Sequence, residues 1–372
     1  MKPRARDLNI RIGQLQPGPL NAITDVPGVR VGHSNVRGRS DSGRDICTGV
    51  TVIEPRRGSS NQQPCFAGVH VLNGNGDATG LEWIREAGLL TSPIAFTNTH
   101  SLGVVRDALI ALDRQQQPDD GRLYWNMPVV LETFDGLLND INGFHVKPEH
   151  VAEALNCAHA GAVEEGAVGG GSGMICHEFK GGIGSASRRL SSAQGGWTVG
   201  AIVQANHGIR SELRVDGYPV GRYMEQVDSP FLRASLPHPG MGSIVVCLAT
   251  DAPLLPHQCT RLAQRASLGL ARSGGGNEDH SGDIFIAFAT GNEQVPPAAY
   301  EGKGAPTCDG LRMVNNDHIS ELFLAATEAV EEAIINALLA SESTAGNGHA
   351  VPGLDKETLL AALAKAGWPG AR

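Results

Sequence analysis

The run Pro237-His238-Pro239-Gly240-Met241-Gly242-Ser243-Ile244-Val245-Val246-Cys247-Leu248 changes character at its serine. The prolines and glycines on its left rule out regular structure. The apolar, β-branched residues on its right read as a buried strand that begins at Ser243. Glycine at 242 can adopt backbone angles closed to other residues, and a hydroxyl directly after it can attack the preceding carbonyl. Scission there would leave Ser243 with a hydroxyl and an α-amine on one residue. An amine with a reference pKa of about 7.7–8.0 is a suitable base for that hydroxyl. A Pro/Gly turn feeding a strand is also an ordinary structural feature, so the junction needs support from elsewhere in the chain.

Working outward, further strands are expected at Gly49–Glu54, Gly68–Leu72, Ile94–Asn98, Val129–Thr133, Thr198–Asn206, Ser243–Thr250 and Asp283–Thr290. Asp216-Gly217, between apolar stretches in Ser211–Gly221, signals a hairpin. Helices are expected at Gly80–Leu90, Leu102–Asp113 and Glu149–Ala160, and from an Asp251 N-cap to about Arg272. The most periodic helix is His318–Ala340, with Ile319, Leu322, Phe323, Ala326, Val330, Ile334 and Leu338 on one stripe. Ser341–Gly353 reads as a linker to a short helix near Asp355–Ala366. No other composition break marks a boundary, so residues 1–372 read as one domain. The fold class is α/β (α+β), with helices covering packed sheets.

The chain carries 48 glycines in 372 residues, dispersed among apolar runs, which suits tightly turned sheets rather than disorder. Its 30 Lys and Arg against 39 Asp and Glu give −9, and no basic stripe interleaved with aromatics appears, which argues against nucleic acid as a partner. Arg188-Arg189 reads as solvated surface. No apolar run of signal-peptide or membrane-spanning type is found, so neither secretion nor a membrane partner is expected. Seven cysteines without a C-x-x-C pair, Cys157 and Cys247 among them, read as buried free thiols in a reducing cytoplasm.

No G-x-S-x-G elbow, P-loop or dinucleotide fingerprint survives a check of spacing, and His177-Glu178 does not extend to H-E-x-x-H. No histidine pairs with cysteine or carboxylate at metal-ligand spacing, so neither metal nor cofactor is expected. Three segments remain chemically suggestive. Asn206 ends an apolar strand in Gln204-Ala205-Asn206-His207-Gly208; its amide can donate to an oxyanion or simply cap a turn. Ser281 and Asp283, at i and i+2 before another strand, share a side on an extended chain and can hold an amine or relay a proton; a plain turn explains them equally. Glu132 ends the strand of Leu131-Glu132-Thr133-Phe134-Asp135-Gly136, where a carboxylate can grip an ammonium or face solvent.

Several of these segments resemble the DmpA-type L-aminopeptidase/D-amidase-esterase family, self-processing serine aminopeptidases related to the β-aminopeptidases. They are Ile23-Thr24-Asp25-Val26-Pro27-Gly28-Val29-Arg30-Val31-Gly32-His33, Gly173-Met174-Ile175-Cys176-His177-Glu178-Phe179-Lys180-Gly181-Gly182-Ile183-Gly184, Val203–Gly208, Gly240–Val246 and Ala249–Gln258. The resemblance runs from about Ile23 to Leu338. It implies a four-layer αββα sandwich of the DmpA/ornithine acetyltransferase type, N-terminal-nucleophile-like, made jointly by chains 1–242 and 243–372. It implies that Ser243 is nucleophile for both self-cleavage after Gly242 and catalysis, and that Asn206 stabilises the oxyanion. By the same resemblance Ser281 and Asp283 orient the nucleophile and its amine, although some relatives carry glutamate at the latter position. Glu132 matches the residue expected to hold the substrate's amino group. The implied substrates are short peptides, amides and esters of L-, D- or β-residues, and the implied assembly is a homotetramer of cleaved heterodimers. An acyltransferase of the ornithine acetyltransferase type, which normally carries a threonine nucleophile, and an uncleaved binding protein of the same fold are the alternatives.

Overall fold

The computed structural model describes residues 2–117, 123–231, 242–297, 305–306 and 308–370. In chain order the strands are β1 (Arg30–Arg39), β2 (Asp45–Glu54), β3 (Cys65–Gly74), β4 (Leu89–Leu90), β5 (Ile94–Asn98), β6 (Val129–Thr133), β7 (Ile175–Cys176), β8 (Phe179–Lys180), β9 (Gly182–Arg189), β10 (Thr198–Asn206), β11 (Ser243–Thr250), β12 (Gly282–Ala289), β13 (Thr344–Gly346) and β14 (His349–Val351). The helices are α1 (Leu81–Ala87), α2 (Leu102–Gln116), α3 (Pro148–Asn156), α4 (Pro256–Ala263), α5 (Ala266–Ser273), α6 (Ser320–Ala340) and α7 (Lys356–Lys365). Two main sheets result, in the orders β1-β2-β5-β6 and β4-β3-β12-β11-β10-β9.

Strand alternation builds the layers. Along β11, Ile244, Val246 and Leu248 pack with residues of α4, α5 and α6. Val245, Cys247 and Ala249 face the other way, onto Ile94, Phe96, Val129 and Leu131 of the four-stranded sheet. That sheet turns Val50, Val52, Ala95 and Val130 outward against α2 and α3. A strand with both faces covered must be apolar on both, which is why β11 reads as a continuous hydrophobic run. The result is a four-layer αββα sandwich. Among the described residues, no helix is long and apolar enough to cross a membrane.

Several expectations are corrected. The helix expected from Asp251 is two helices that start only at Pro256, because prolines at 253 and 256 disfavour helix in the residues before them. Asp251 instead accepts the Thr198 N–H at 2.7 Å. Asp216 and Gly217 do form a turn with positive φ, but only Val215 and Tyr218 pair across it. The segment read as a linker carries the β13–β14 hairpin. Cys157 and Cys308 are exposed, while the other five cysteines are buried.

Arg188, read as solvated, is fully buried. Its place on the helix-facing side of β9 points it at α6, where Glu328 and Glu332 stand one helical turn apart. Arg188 Nε lies 3.0 Å from Glu328 Oε2 and one terminal nitrogen 2.7 Å from Glu332 Oε2.

Candidate active site

Ser243 is the first residue of β11 and Asn206 the last of β10, and the antiparallel register sets them opposite each other. Opposed residues of such a pair project to one face. Both are buried. The Gly282 N–H, from the start of the parallel neighbour β12, donates to Ser243 Oγ at 3.0 Å. That bond orients the hydroxyl oxygen while leaving its own proton free to be given up. Asn206 is fixed at both ends of its amide. Oδ1 accepts from the Ile175 N–H at 2.7 Å, and Nδ2 donates to Phe134 O at 3.0 Å, which leaves the second Nδ2 hydrogen for another acceptor.

Ser281 and Asp283 meet as well: Ser281 Oγ donates to Asp283 Oδ1 at 2.5 Å. Asp283 Oδ2 is buried and, among the described residues, makes no hydrogen bond. Burial pushes the Asp283 pKa up to about 6, against the lowering effects of the Ser281 hydroxyl and the Ile244 N–H. A carboxylate in that state is poised to change protonation near neutral pH.

Glu132 lies in β6, on the opposing sheet, and is buried rather than solvated. The Asp77 N–H donates to Oε1 at 2.8 Å and Thr99 Oγ1 donates to Oε2. Burial raises its pKa, and the Thr99 and Asp77 hydrogen bonds oppose that rise. The loop after β3 ties this carboxylate to the serine. A Cβ built on Gly76 would lie 3.2 Å from Glu132 Oε1 and 3.3 Å from the Cα of Gly282. The same loop clamps the turn that delivers Ser281: Asn75 Nδ2 donates to His280 O at 2.9 Å, and Asn73 Nδ2 donates to Asp279 O at 2.8 Å and to Ser281 O.

Asn73, Asn75, Gly76, Asp77 and Thr99 were not singled out from the sequence. Leu72-Asn73-Gly74-Asn75-Gly76-Asp77 reads only as a turn-rich strand end, and nothing local links it to residues some two hundred positions away. Of the loop expected to precede Ser243, residues 232–241 lie outside the described residues. Gly242 is described, and a Cβ there would overlap the Asn206 carbonyl oxygen.

Behind Asn206 stands Lys180, fully buried. Its Nζ donates to the carbonyls of Gly171, Met174 and Gly181 at 3.1, 2.8 and 2.7 Å. Burial pushes its pKa down to about 7. These bonds fix the backbone that presents the Ile175 N–H to Asn206. The fold also gathers Cys176, His177 and His207, which no sequence spacing paired; their ligand atoms lie within 4.8 Å of one another. Cys176 Sγ is 3.8 Å from one His207 nitrogen and 3.9 Å from the other, so it is in line with neither lone pair. His177 Nδ1 is held 2.9 Å from Ile209 O. Burial pushes the Cys176 thiol up to about 12 and the His177 ring down to about 4, and it also lowers His207. Together the three side chains form a buried cluster of possible ligand atoms beside Asn206.

Known proteins resemble the chain over most of its length. The model of peptidase family S58 matches residues 21–351. A beta-peptidyl aminopeptidase BapA of Sphingosinicella microcystinivorans is 44% identical over 377 residues, covering 98% of this chain and 92% of that protein. The solved Burkholderia sp. beta-aminopeptidase superposes with a TM-score of 0.93 at 65% identity, covering 98% of this chain and 99% of that one. The L-aminopeptidase D-Ala-esterase/amidase from Ochrobactrum anthropi, described as a prototype serine aminopeptidase with a variant of the Ntn hydrolase fold, gives 0.88 at 43% identity, with 98% and 99% covered. The chain therefore belongs to peptidase family S58 and is a serine-type aminopeptidase.

Proposed function

We propose that the chain cuts itself between Gly242 and Ser243 and then removes N-terminal residues from short peptides, amides and esters through an acyl-enzyme on Ser243. The observation that carries this reading is the convergence of Ser243, Asn206 and the hydrogen-bonded Ser281–Asp283 pair at the ends of three adjacent strands.

In the first reaction, Ser243 Oγ attacks the Gly242 carbonyl carbon and the C–N bond breaks. The proton from Oγ ends on the freed α-amine, and Gly242 is left as an ester on the serine. Water hydrolyses that ester to a Gly242 carboxylate and regenerates the hydroxyl. In the second, the neutral α-amine takes the Oγ proton as Oγ attacks the substrate carbonyl, and the free Asn206 hydrogen stabilises the oxyanion. The leaving amine receives that proton, and water releases the acid. Asp283, through its open Oδ2, and Ser281 hold the α-amine in place. Glu132 binds the substrate ammonium through the lone pairs that Asp77 and Thr99 leave unused. The names of the relatives support beta-peptides and amino-acid amides as the substrate classes to try first.

Intact mass spectrometry of the denatured protein tests the reading. Two chains, ending at Gly242 and starting at Ser243, are expected, with a single uncut chain in Ser243→Ala. A cut Ser243→Ala protein would overturn it. So would an uncut wild-type protein that hydrolyses amino-acid p-nitroanilides.

A further inference from the structure

We propose that Gly76 is a specificity-determining position: its missing side chain keeps open the space where a substrate's amino group meets Glu132. The inference rests on the reading of Glu132 as the amine-holding carboxylate. A Cβ on Gly76 would stand 3.2 Å from Glu132 Oε1, 3.3 Å from Gly282 Cα and 3.9 Å from Ile284 Cδ1. It would therefore project between the carboxylate and the residue whose N–H holds Ser243 Oγ. Gly76 is itself exposed, so this gap opens to solvent.

The loop is held in place on both sides of Gly76. Asn75 Nδ2 is tied to His280 O at 2.9 Å, and the Asp77 N–H to Glu132 Oε1 at 2.8 Å. From the far side, a Cβ on Gly282 would meet Asn75 O at 2.8 Å and Gly76 Cα at 2.9 Å, so this approach of the two segments leaves no room for a side chain at Gly282. Gly76 does not adopt a positive φ, so alanine there meets no backbone strain. The consequence of the substitution is the volume of one methyl group. That methyl covers the side of Oε1 turned toward Gly282. Each Glu132 oxygen already accepts one hydrogen bond from the chain, from Asp77 and from Thr99. What is covered is thus the acceptor capacity an incoming ammonium needs.

The test compares wild type, Gly76→Ala and Glu132→Gln on L-alanine and β-alanine p-nitroanilides, which carry the free amine, and on p-nitrophenyl acetate, which does not. Circular dichroism melting checks the folding of each variant. In Gly76→Ala, KM for the anilides is expected to rise at least about tenfold with kcat within about threefold, so that the anilide-to-acetate ratio of kcat/KM falls about tenfold. Glu132→Gln is expected to move KM the same way. A raised KM in Glu132→Gln beside a wild-type ratio in Gly76→Ala overturns the role of Gly76 and leaves the carboxylate reading standing. An unchanged KM in Glu132→Gln overturns the carboxylate reading itself. Equal losses on anilide and acetate in Gly76→Ala also overturn the inference, because the damage would then be general.

Discussion

At position 242 the backbone leaves no room for a side chain, since a Cβ there would run into the Asn206 carbonyl oxygen. Gly242→Ala must therefore push the 242–243 peptide away from the serine that attacks it. Its self-cleavage is expected to slow at least about tenfold, because misplacement of about 1 Å costs that much or more; a mass-spectrometric time course from fresh protein reads it. Asp283 gives a prediction in pH. Its folded pKa of about 6 stands above the ordinary aspartate value of 3.8, so the fold binds its proton more tightly than the unfolded chain does. The stability this contributes is complete below about pH 3.8 and is lost as pH rises through about 6. The loss amounts to at most about 3 kcal/mol, at about 1.4 kcal/mol for each pH unit between those two values. Asp283→Asn removes that dependence. In the uncut Ser243→Ala background, where no α-amine faces the carboxylate, urea unfolding should find Asp283→Asn more stable than its parent at about pH 8 and little different at about pH 4. Parallel stabilities at the two pH values would refute this. Ser243, Asn206, Ser281, Asp283 and Glu132 were legible as polar residues at the ends of apolar strands. Asn73, Gly76 and Thr99 were not, because they act through close approach to segments remote in sequence.

Among the elements, β11 and α6 announced themselves, the first by its unbroken apolar run and the second by its stripe. β9 did not. Gly182-Ile183-Gly184-Ser185-Ala186-Ser187-Arg188-Arg189 has little β-propensity, and what makes it a buried strand is polar partners on other segments. Ser185 Oγ donates to Ala201 O at 2.7 Å, Ser187 Oγ to Asp25 Oδ2 at 2.6 Å, and Arg188 to two glutamates of α6. The ion pairs join β9 to α6 with essentially no water access, and removing Arg188 leaves buried Glu328 with only the Gln14 and Leu15 N–H groups and Glu332 with Arg6 and Asn21. Arg188→Ala is expected to cost about 3–5 kcal/mol in urea unfolding. The triple variant Arg188→Met, Glu328→Gln, Glu332→Gln should recover part of that loss, since the charge it leaves without its carboxylate is Arg6, which reaches water. If Arg188→Ala unfolds at the wild-type urea midpoint, the junction contributes nothing measurable.

The order of the six-stranded sheet binds the two halves of the molecule together in a way neither half reveals. Alternating strands and helices were enough to expect packed sheets under helices, and β11-α4-α5-β12 reads as a crossover between parallel neighbours. The pairing of β12 with β3 spans some two hundred residues and has no local signature. Its consequence is that β11 and β12, both after the Gly242–Ser243 junction, fill the middle of a sheet whose remaining strands all precede it. Eight residue pairs join β11 to β10 and eight more join β12 to β3. Residues 1–242 alone would keep the four-stranded sheet but leave β3 and β10 as two long unpaired edges. Residues 243–372 alone would offer two parallel strands, a pairing that is stable when both faces are covered, with the opposing sheet absent. Neither piece should therefore fold by itself. Expressed separately, each is expected to melt without a cooperative transition. Refolded together from denaturant, they should co-elute as one species with the circular dichroism and aminopeptidase activity of the parent. A cooperative thermal transition in either fragment alone would contradict this account, because it would place the folding unit inside one half rather than in the sheet that both complete.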